Sequence, residues 1–403
     1  MVSTKYNIMV MGVSCFDGMA SSTRVRNLIE PLVNKNLVTA HNLIYQKDNR
    51  EPIGKSGVLN SINFKIIDFR LGNPFSIFGF WASGMSFLKK NKKKGQKNVL
   101  YNYNYADLKN IFFLLYARMI GYKIILDIIE DNRFERPDGL INRLRLKTSV
   151  FLFRFSKLFT DHFVAISEQL YERVSQNAKG KVPVSLIPIT VNLNYFKKNG
   201  HHAGKSNLKI FYGGSYAVKD GLKYLIDAFD VVSKKDESIQ LILTGSAPIK
   251  SDLDEIKTKI DKVSAKDRIR FMGFLKTDDY YNLLNNCDIF CMTRINSIYA
   301  NAGFPFKLGE FLAAGKAVIA TRVGDVPNYL FNDVNALVIN PDSVEELSDA
   351  IMTVVNNPGK ISTLGPEARK TAETYFDSEK EFTAMNMYNI SFKNFIQVSK
   401  NVQ

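Results

Sequence analysis

The chain has 403 residues, of which 45% are hydrophobic, so it is long and apolar enough to fill the cores of two domains of about 190 residues. This composition excludes an intrinsically disordered protein. The formal net charge of +15 favours polyanions, phosphorylated ligands or anionic membrane surfaces as partners. Three cysteines, Cys15, Cys287 and Cys291, are too few for a disulfide framework.

The polar amino terminus does not resemble a signal peptide, and no apolar run reaches the ~20 residues that cross a bilayer. We therefore expect a cytoplasmic protein, either soluble or peripheral on the inner face of the cell membrane. The basic residues are not interleaved with aromatic residues as in nucleic-acid modules, so nucleic acid is not expected as a partner.

Strand-like and helix-like segments alternate along both halves of the chain, which predicts α/β domains with parallel sheets. In the first half, strands are predicted at 6–12, 98–103, 122–128, 163–166 and 184–188, and helices at 22–34 and 168–175. A polar segment at 197–207 is the predicted linker. In the second half, strands are predicted at 208–212, 240–244, 268–271 and 288–292, with helices at 221–234, 252–263, 278–286 and from a capping box at 343–346.

Residues 301–320, NAGFPFKLGEFLAAGKAVIA, form the most informative segment. They predict a loop, a short helix beginning near Pro305 and ending at Gly315, and then a buried strand. The amino terminus of a helix is a ready anion site. Glu310, about one and a half turns into this helix, is placed to accept hydrogen bonds from vicinal hydroxyls. A phosphate site beside a diol site indicates a nucleotide.

This segment resembles the donor-binding signature of the retaining GT-B glycosyltransferases, family four of the nucleotide-sugar enzymes (glycosyl transferases group 1). That family usually carries two glutamates separated by seven residues, and here the first position is Ala302 while the second is Glu310. The resemblance implies two Rossmann-like, doubly wound domains facing across a cleft. The acceptor domain would span 1–195 and the donor domain 207–375, and a last helix within 376–403 would return to the first domain.

The resemblance also implies a donor site. The loop Gly213-Gly214-Ser215 would approach the donor, Lys219 would contact its diphosphate, and Gly214 occupies the place of a common family arginine. Gly273 and Phe274 would pack against the base, although a core position for Phe274 is equally favoured, and Phe271 is expected in the core. The remaining predicted donor-binding residues are Gly18, Ala302, Gly303, Phe304, Lys307, Leu308 and Glu310.

In the first domain, Arg24 or Arg26 would face the phosphates or the acceptor. Asp127, Glu130 and Asp131 follow a predicted strand where relatives carry a histidine, and a carboxylate there would orient hydroxyls or, alternatively, cap a helix. We predict Lys219, Glu310, Glu130 and Asp131 as the catalytic residues. Neither the histidines nor the one Asp-x-Asp sequence, Asp252 to Asp254, indicates a metal site, so we predict a metal-independent enzyme without a cofactor.

Residues 75–97 combine a stripe of aromatic and apolar residues with a following lysine cluster. The stripe is predicted on the face of Phe75, Phe78, Trp81 or Ala82, Met85 and Leu88, widened by Ile77, Phe80, Gly84 and Phe87. This composition is typical of a helix that lies on an anionic membrane surface. The alternative is a core helix that ends in a solvated loop.

Taken together, these features predict a glycosyltransferase that moves a sugar from a nucleotide-sugar, most consistently a UDP-sugar, to a glycan or lipid-linked acceptor. Its expected setting is the assembly of bacterial-type cell-surface polysaccharide, and the family implies retention of anomeric configuration. Two alternatives remain at this stage. Ala302 and Gly214 favour a non-catalytic subunit that binds a nucleotide-sugar or stabilises a partner, and a GT-B nucleotide-sugar epimerase would have similar domains.

Overall fold

The structure is a computed structural model. It describes residues 6–13, 20–34, 37–44, 56–59, 62–67, 74–134, 139–196, 207–247 and 250–380. The chain divides into two compact units, Met1–Pro188 with Ser378–Gln403, and Ile189–Asp377. Gly18, Cys15 and residues 197–206 of the predicted linker at 197–207 lie outside the described residues.

The first unit is built on one sheet whose described strands follow the order β3-β4-β2-β1-β5-β6-β7-β8. The strands are β1 (Tyr6–Met11), β2 (Val38–Ile44), β3 (Ser56–Leu59), β4 (Ile62–Ile66), β5 (Lys97–Tyr103), β6 (Lys123–Ile128), β7 (His162–Ala165) and β8 (Val184–Leu186). The helices are α1 (Ala20–Asn34), α2 (Pro74–Asn91), α3 (Ile111–Met119), α4 (Gly139–Phe155) and α5 (Glu168–Ala178). Strand β3 pairs antiparallel with β4, and the other pairs are parallel.

The second unit contains a parallel sheet with the described strand order β11-β10-β9-β12-β13-β14. Its strands are β9 (Lys209–Ser215), β10 (Gln240–Ser246), β11 (Ile269–Gly273), β12 (Ile289–Met292), β13 (Ala317–Thr321) and β14 (Leu337–Ile339). Its helices are α6 (Leu222–Ser233), α7 (Lys250–Asp261), α8 (Thr277–Asn285), α9 (Ile298–Ala302), α10 (Lys307–Ala313), α11 (Val344–Asn356) and α12 (Gly359–Tyr375). This is the strand order of a Rossmann fold. The prediction of two doubly wound α/β units is confirmed.

The predicted start of α11 and the predicted end of α10 are confirmed. The Ser343 hydroxyl accepts the backbone N–H of Glu346 at 3.1 Å, as expected for the cap of α11. Gly315 directly follows the last turn of α10 with φ +65°. However, α10 begins at Lys307 rather than near Pro305, so Glu310 lies in its first turn and not one and a half turns in.

The second unit ends at Asp377, so Phe376, the predicted start of the returning helix, belongs to this unit, while the return of the chain to the first unit stays a prediction. Phe376 is buried and follows α12, and its carbonyl accepts the backbone N–H of Val191 at 2.7 Å within the same unit. Its ring packs 5.8 Å from that of Phe304. Phe376 therefore belongs to the core of the second unit, and most of the predicted helix, 381–398, lies outside the described residues.

Candidate donor site

The candidate site of the second unit lies where the strand order reverses, between β9 and β12. In open α/β sheets, ligands bind outside the carboxyl ends of the strands at this point. Strand β9 ends in Gly213-Gly214-Ser215, and Thr293-Arg294 follows β12. The predicted glycine loop is therefore at the position where a ligand site is expected.

The backbone of the glycine loop packs tightly against the neighbouring strand. A Cβ atom at Gly245, which has φ +104°, would come 1.9 Å from the carbonyl oxygen of Gly214, so a side chain at Gly245 is excluded. The Ser215 hydroxyl accepts the backbone N–H of Ala217 at 3.0 Å, and Tyr212 donates to the Ser215 carbonyl at 2.6 Å. These contacts fix the shape of the loop that leads to Lys219.

Lys219 lies in the turn before α6, close to the segment that follows β12. The Lys219 carbonyl accepts the backbone N–H of Ile295 at 3.1 Å. The Lys219 ammonium lies 4.8 Å from the ring centroid of Tyr299 on α9. A Cβ atom at Gly221 (φ +68°) would come 1.9 Å from the carbonyl oxygen of Thr293, so only glycine permits this approach. The fold thus brings Lys219 next to the 301–320 segment.

Arg294 is a site residue that the sequence analysis missed. Its side chain is buried, and its Nη1 donates to the carbonyls of Ala300 at 3.2 Å and Gly303 at 3.3 Å. Its Nε lies 3.4 Å from Oδ1 of Asp220, the residue after Lys219. Arg294 therefore connects both predicted donor-binding loops. The sequence offered one clue to Arg294, which is an arginine two residues after the buried strand β12.

Glu310 is 3% exposed, and protein groups hold its carboxylate. Tyr280 donates to Oε2 at 2.8 Å, Tyr281 donates to Oε1 at 3.2 Å, and Lys307 Nζ lies 3.3 Å from Oε2. Burial and the Glu310 charge raise the pKa of Tyr280 well above its usual value, so this phenol remains a donor. The alternative prediction, that Glu310 is a solvent-exposed glutamate on the helix surface, is wrong.

Lys307 is half-buried and already engaged within the same cluster. Its ammonium lies 4.2 Å from the ring centroid of Tyr280, in addition to its contact with Glu310. Because a carboxylate lies beside it, Lys307 contributes less positive potential to a phosphate than an isolated lysine would. Tyr195 stacks on Tyr281 with centroids 4.2 Å apart, which fixes the second tyrosine of the cluster.

The other predicted residues of the 301–320 segment are buried. The side chain of Ala302 is 0% exposed at the end of α9, and Leu308 is also fully buried. The ring of Phe304 lies among aromatic residues, 5.5 Å from Tyr329. Any contact of Gly303 and Phe304 with a ligand therefore has to come from their backbone. The backbone N–H of Leu308 already donates to Pro305 at 3.0 Å.

The predicted base-flanking segment is open to solvent. Gly273 ends β11 with φ +61°, and an added Cβ atom there would meet nothing within 4 Å. Phe274 is 47% exposed, which excludes the core alternative for this ring. Phe271, expected in the core, is 43% exposed, so that expectation was wrong. It lies in the last strand of the described sheet, where one side has no neighbouring strand.

In the first unit, Arg24 and Asp127 pair with each other. Arg24 makes two hydrogen bonds to the Asp127 carboxylate, at 2.6 and 2.9 Å, and Tyr101 donates to the same group. Arg24 also donates to the carbonyls of Ile187 and Pro188. Both charged side chains are completely buried. The expectation that Arg24 faces a phosphate, or Asp127 a substrate hydroxyl, is therefore wrong.

Glu130 and Asp131 follow β6, as predicted, but their surroundings differ. Glu130 is half-buried, whereas Asp131 is 1% exposed and is bound by Arg133 at 2.7 Å and Arg173 at 2.6 Å. Hydrogen bonds from Arg133 and the charge of Arg173 lower the pKa of Asp131, although burial alone would raise it. In this structure Asp131 holds two arginines in place, and its catalytic role stays a prediction.

Helix α2 contains the predicted amphipathic segment, but with a different inner face. Phe80, Gly84 and Leu88 are buried, and the Phe80 ring packs 5.3 Å from that of Phe113 on α3. Phe78 is 67% exposed. Leu88, a member of the predicted stripe, is buried on the same side as Phe80 and Gly84, whereas Phe78 of the same stripe is exposed. The lysines after the stripe are exposed.

Within the described ranges, no helix is long and apolar enough to cross a bilayer. The same residues contain no cluster of three or more His, Cys, Asp or Glu that could hold a metal ion. Cys287 and Cys291 are buried and are not joined in a disulfide.

A profile of the family described as Glycosyl transferases group 1 matches residues 195–371. An uncharacterized glycosyltransferase of Methanocaldococcus jannaschii is 22% identical over 69% of this chain and 81% of its own length. The capsular polysaccharide biosynthesis glycosyltransferase CapM of Staphylococcus aureus is 21% identical over half of each chain.

Two solved structures share the fold over nearly the whole chain. Sucrose-phosphate synthase from Thermosynechococcus elongatus superposes with a TM-score of 0.73 at 16% identity, covering 96% of this chain and 98% of its own. HepE from Anabaena in complex with UDP-glucose gives a TM-score of 0.71 at 16% identity, with 95% and 100% covered. The family profile, the relatives and the two α/β units agree: residues 195–371, in the second unit, match the group 1 glycosyl transferase domain, and the chain has the GT-B fold.

Proposed function

We propose that the protein transfers a sugar from a UDP-sugar to a glycan or lipid-linked acceptor, with retention of anomeric configuration, during assembly of a cell-surface polysaccharide. HepE, which shares the fold, was solved with UDP-glucose, and this supports a uridine donor. CapM acts in capsular polysaccharide biosynthesis, and this supports the setting. The acceptor class and the retention follow from the family resemblance.

The observation that carries the proposal is the position of Arg294. One buried guanidinium binds Asp220, next to Lys219, and the carbonyls of Ala300 and Gly303. It thereby joins the two loops that bear the donor-binding residues at the point where α/β sheets bind ligands. In the proposed complex, Lys219 contacts the diphosphate, Glu310 the ribose and Phe274 the base.

The chemical task is to stabilise the charge on the departing diphosphate as the bond to the sugar breaks. Lys219 supplies a cation for this purpose, and Lys307 a weaker one because Glu310 lies beside it. Ala302 offers no carboxylate to the sugar, so we assign the sugar contacts to the backbone N–H groups of Gly303 and Phe304. We propose that neither a metal ion nor a cofactor takes part.

A lipid-linked acceptor would bring the protein to the inner face of the membrane. The exposed Phe78 and the lysines after α2 support contact with an anionic surface there.

The test combines each of several UDP-sugars with a lipid extract and follows the product by NMR. The proposal predicts UDP release that rises with acceptor, and a product with the anomeric configuration of the donor. Inverted product would refute retention. Free sugar at an acceptor-independent rate would indicate an epimerase, and UDP-sugar binding without turnover a non-catalytic subunit.

A further inference from the structure

Helix α4 exposes apolar side chains on the side that surface helices normally keep polar. Leu140, Leu144, Phe151 and Phe155 follow one another at spacings of four, seven and four residues, which puts them on one side of the helix. Their exposed fractions are 82%, 54%, 57% and 46%. The exposed Leu158, after the helix, continues this row. We call Leu140, Leu144, Phe151, Phe155 and Leu158 the α4 stripe.

The opposite side of α4 already packs against the first unit. Ser149 and Phe153 are buried, and Ser149 accepts a hydrogen bond from Asn132 at 2.9 Å. The ring of Phe153 lies 5.1 Å from that of Tyr105. The α4 stripe is therefore not the helix's contact with its own core, and exposed apolar surface of this extent marks an interaction site.

Exposed cations line the α4 stripe. The exposed Arg143, Lys147 and Arg154 project from the adjacent side of the helix, and the half-buried Lys157 follows in the next turn. The sequence of α4, GLINRLRLKTSVFLFRF, contains no aspartate or glutamate. Apolar residues flanked by cations, on a helix without acidic residues, match the surface of an anionic bilayer, in which acyl chains lie beneath negative headgroups.

The same charges argue against a second copy of this chain as the occupant. Two α4 helices packed stripe to stripe would bring eight cations together without an opposing carboxylate on either helix. An anionic lipid surface instead neutralises them. The stripe from Leu140 to Phe155 is about 22 Å long, enough for the helix to lie in the plane of the interface.

We propose that α4 is a membrane-docking helix that inserts its stripe into the headgroup region of an anionic bilayer. This rests on the proposed function only in giving the docking a purpose, which is access to a lipid-linked acceptor. The docking surface is distinct from the lysine cluster after α2, and its binding to lipid requires neither donor nor acceptor.

The experiment measures binding of the full chain to vesicles of phosphatidylglycerol and phosphatidylcholine, and to vesicles of phosphatidylcholine alone. The variants are Leu144→Ser with Phe155→Ser, and separately Arg143→Gln with Lys147→Gln. The matched control is Leu115→Ser with Met119→Ser on α3, because those side chains are similarly exposed, at 47% and 75%. Circular dichroism melts verify that each variant is folded.

We expect the wild type and the α3 control to bind the anionic vesicles, and each α4 variant to bind them at least ~10-fold more weakly. UDP release from UDP-sugar without acceptor should be unchanged in the α4 variants, so failure of docking is distinguishable from failure of the proposed function. Binding of the α4 variants within twofold of the wild type would overturn the proposal. So would a wild type that ignores anionic vesicles, or an α4 variant that changes only self-association.

Discussion

Replacing Glu310 by glutamine should weaken nucleotide binding by removing the carboxylate that we assign to the ribose. In the structure, Oε2 lies 2.8 Å from the Tyr280 hydroxyl and 3.3 Å from the Lys307 ammonium, and Oε1 accepts from Tyr281 at 3.2 Å. An ionised carboxylate has about four acceptor positions. We infer that Oε1 has an acceptor position left for one ribose hydroxyl.

The size of the effect follows from the charge of the acceptor. A hydrogen bond to a charged group contributes ~1.5–3 kcal/mol. Since about 1.4 kcal/mol corresponds to tenfold in affinity, Glu310→Gln should bind UDP ~10- to 150-fold more weakly. Part of any loss can come from disturbance of the tyrosine cluster, so the affinity for UDP alone does not isolate the ribose contact.

A thermodynamic cycle isolates that contact. Calorimetric titrations of UDP and 2′-deoxy-UDP into wild type and Glu310→Gln give four affinities, and their double difference is the coupling between the carboxylate and the 2′-hydroxyl. We expect the wild type to prefer UDP and Glu310→Gln to lose most of that preference. Tyr281→Phe keeps the carboxylate and should keep the preference.

The opposite result is equally clear. If Glu310→Gln is folded and still distinguishes UDP from 2′-deoxy-UDP as strongly as the wild type, the carboxylate does not contact the 2′-hydroxyl. Glu310 would then serve only to hold Tyr280 and Tyr281 in the fold.

Three further changes test other parts of the structure. Asp127→Asn should lower the free energy of unfolding by ~3–5 kcal/mol in urea titrations, because it leaves the buried Arg24 charge unpaired. Arg294→Met should reduce kcat/KM for the UDP-sugar at least ~10-fold, because both donor loops lose their common anchor, with partial recovery in Arg294→Lys. Burial lowers the pKa of His41 and His162 from 6.5 to about 4. The urea concentration at the unfolding midpoint should therefore decrease as the pH is lowered from 7 to 5.

The sign of the pH effect follows from proton uptake. Below pH 6.5 the imidazoles of the unfolded chain bind protons, whereas the buried imidazoles of the folded protein remain neutral. The free energy of unfolding therefore decreases as the pH decreases, by roughly 1–2 kcal/mol per histidine at pH 5. His162→Gln should weaken this dependence of stability on pH, and an unchanged slope would contradict the explanation.

For the buried ion pair of Arg24 and Asp127, Glu367→Gln is the control, since the contact of Glu367 with Lys370 is exposed and should contribute little. An equal loss of the free energy of unfolding in Asp127→Asn and Glu367→Gln would refute the role of the buried ion pair. Wild-type kinetics in Arg294→Met would refute the role of Arg294 as an anchor.

Much of the fold could be predicted because parallel strands buried on both faces appear as short apolar runs between helical patterns. Strand β12 is an example of such an apolar run, and helix α5 is an example of a helical pattern. Strand β2 was missed because His41 and Asn42 interrupt its apolar run, although both are buried. The sequence does not show that a polar residue will find a buried place in a sheet.

The candidate site was predictable only where local signals specify it. The glycines of β9 and Glu310 stand in patterns of neighbouring residues, whereas the two tyrosines that bind Glu310 lie 29 and 30 residues away on α8. Arg24 and Asp127 are 103 residues apart, so their pairing could not be read from either motif. For the same reason α4 gave no signal, because its apolar residues reveal an outward stripe only once the packed side is known.

The most direct test of the central claim is UDP release from UDP-sugars by the wild type, Lys219→Met and Lys223→Met. Lys223 lies four residues further on, with its ammonium 5.0 Å from the ring centroid of Tyr224, and serves as the matched control. We expect Lys219→Met to lose kcat/KM at least ~10-fold while Lys223→Met stays within about twofold. Equal rates in all three proteins, or no release from any UDP-sugar by the wild type, would contradict it.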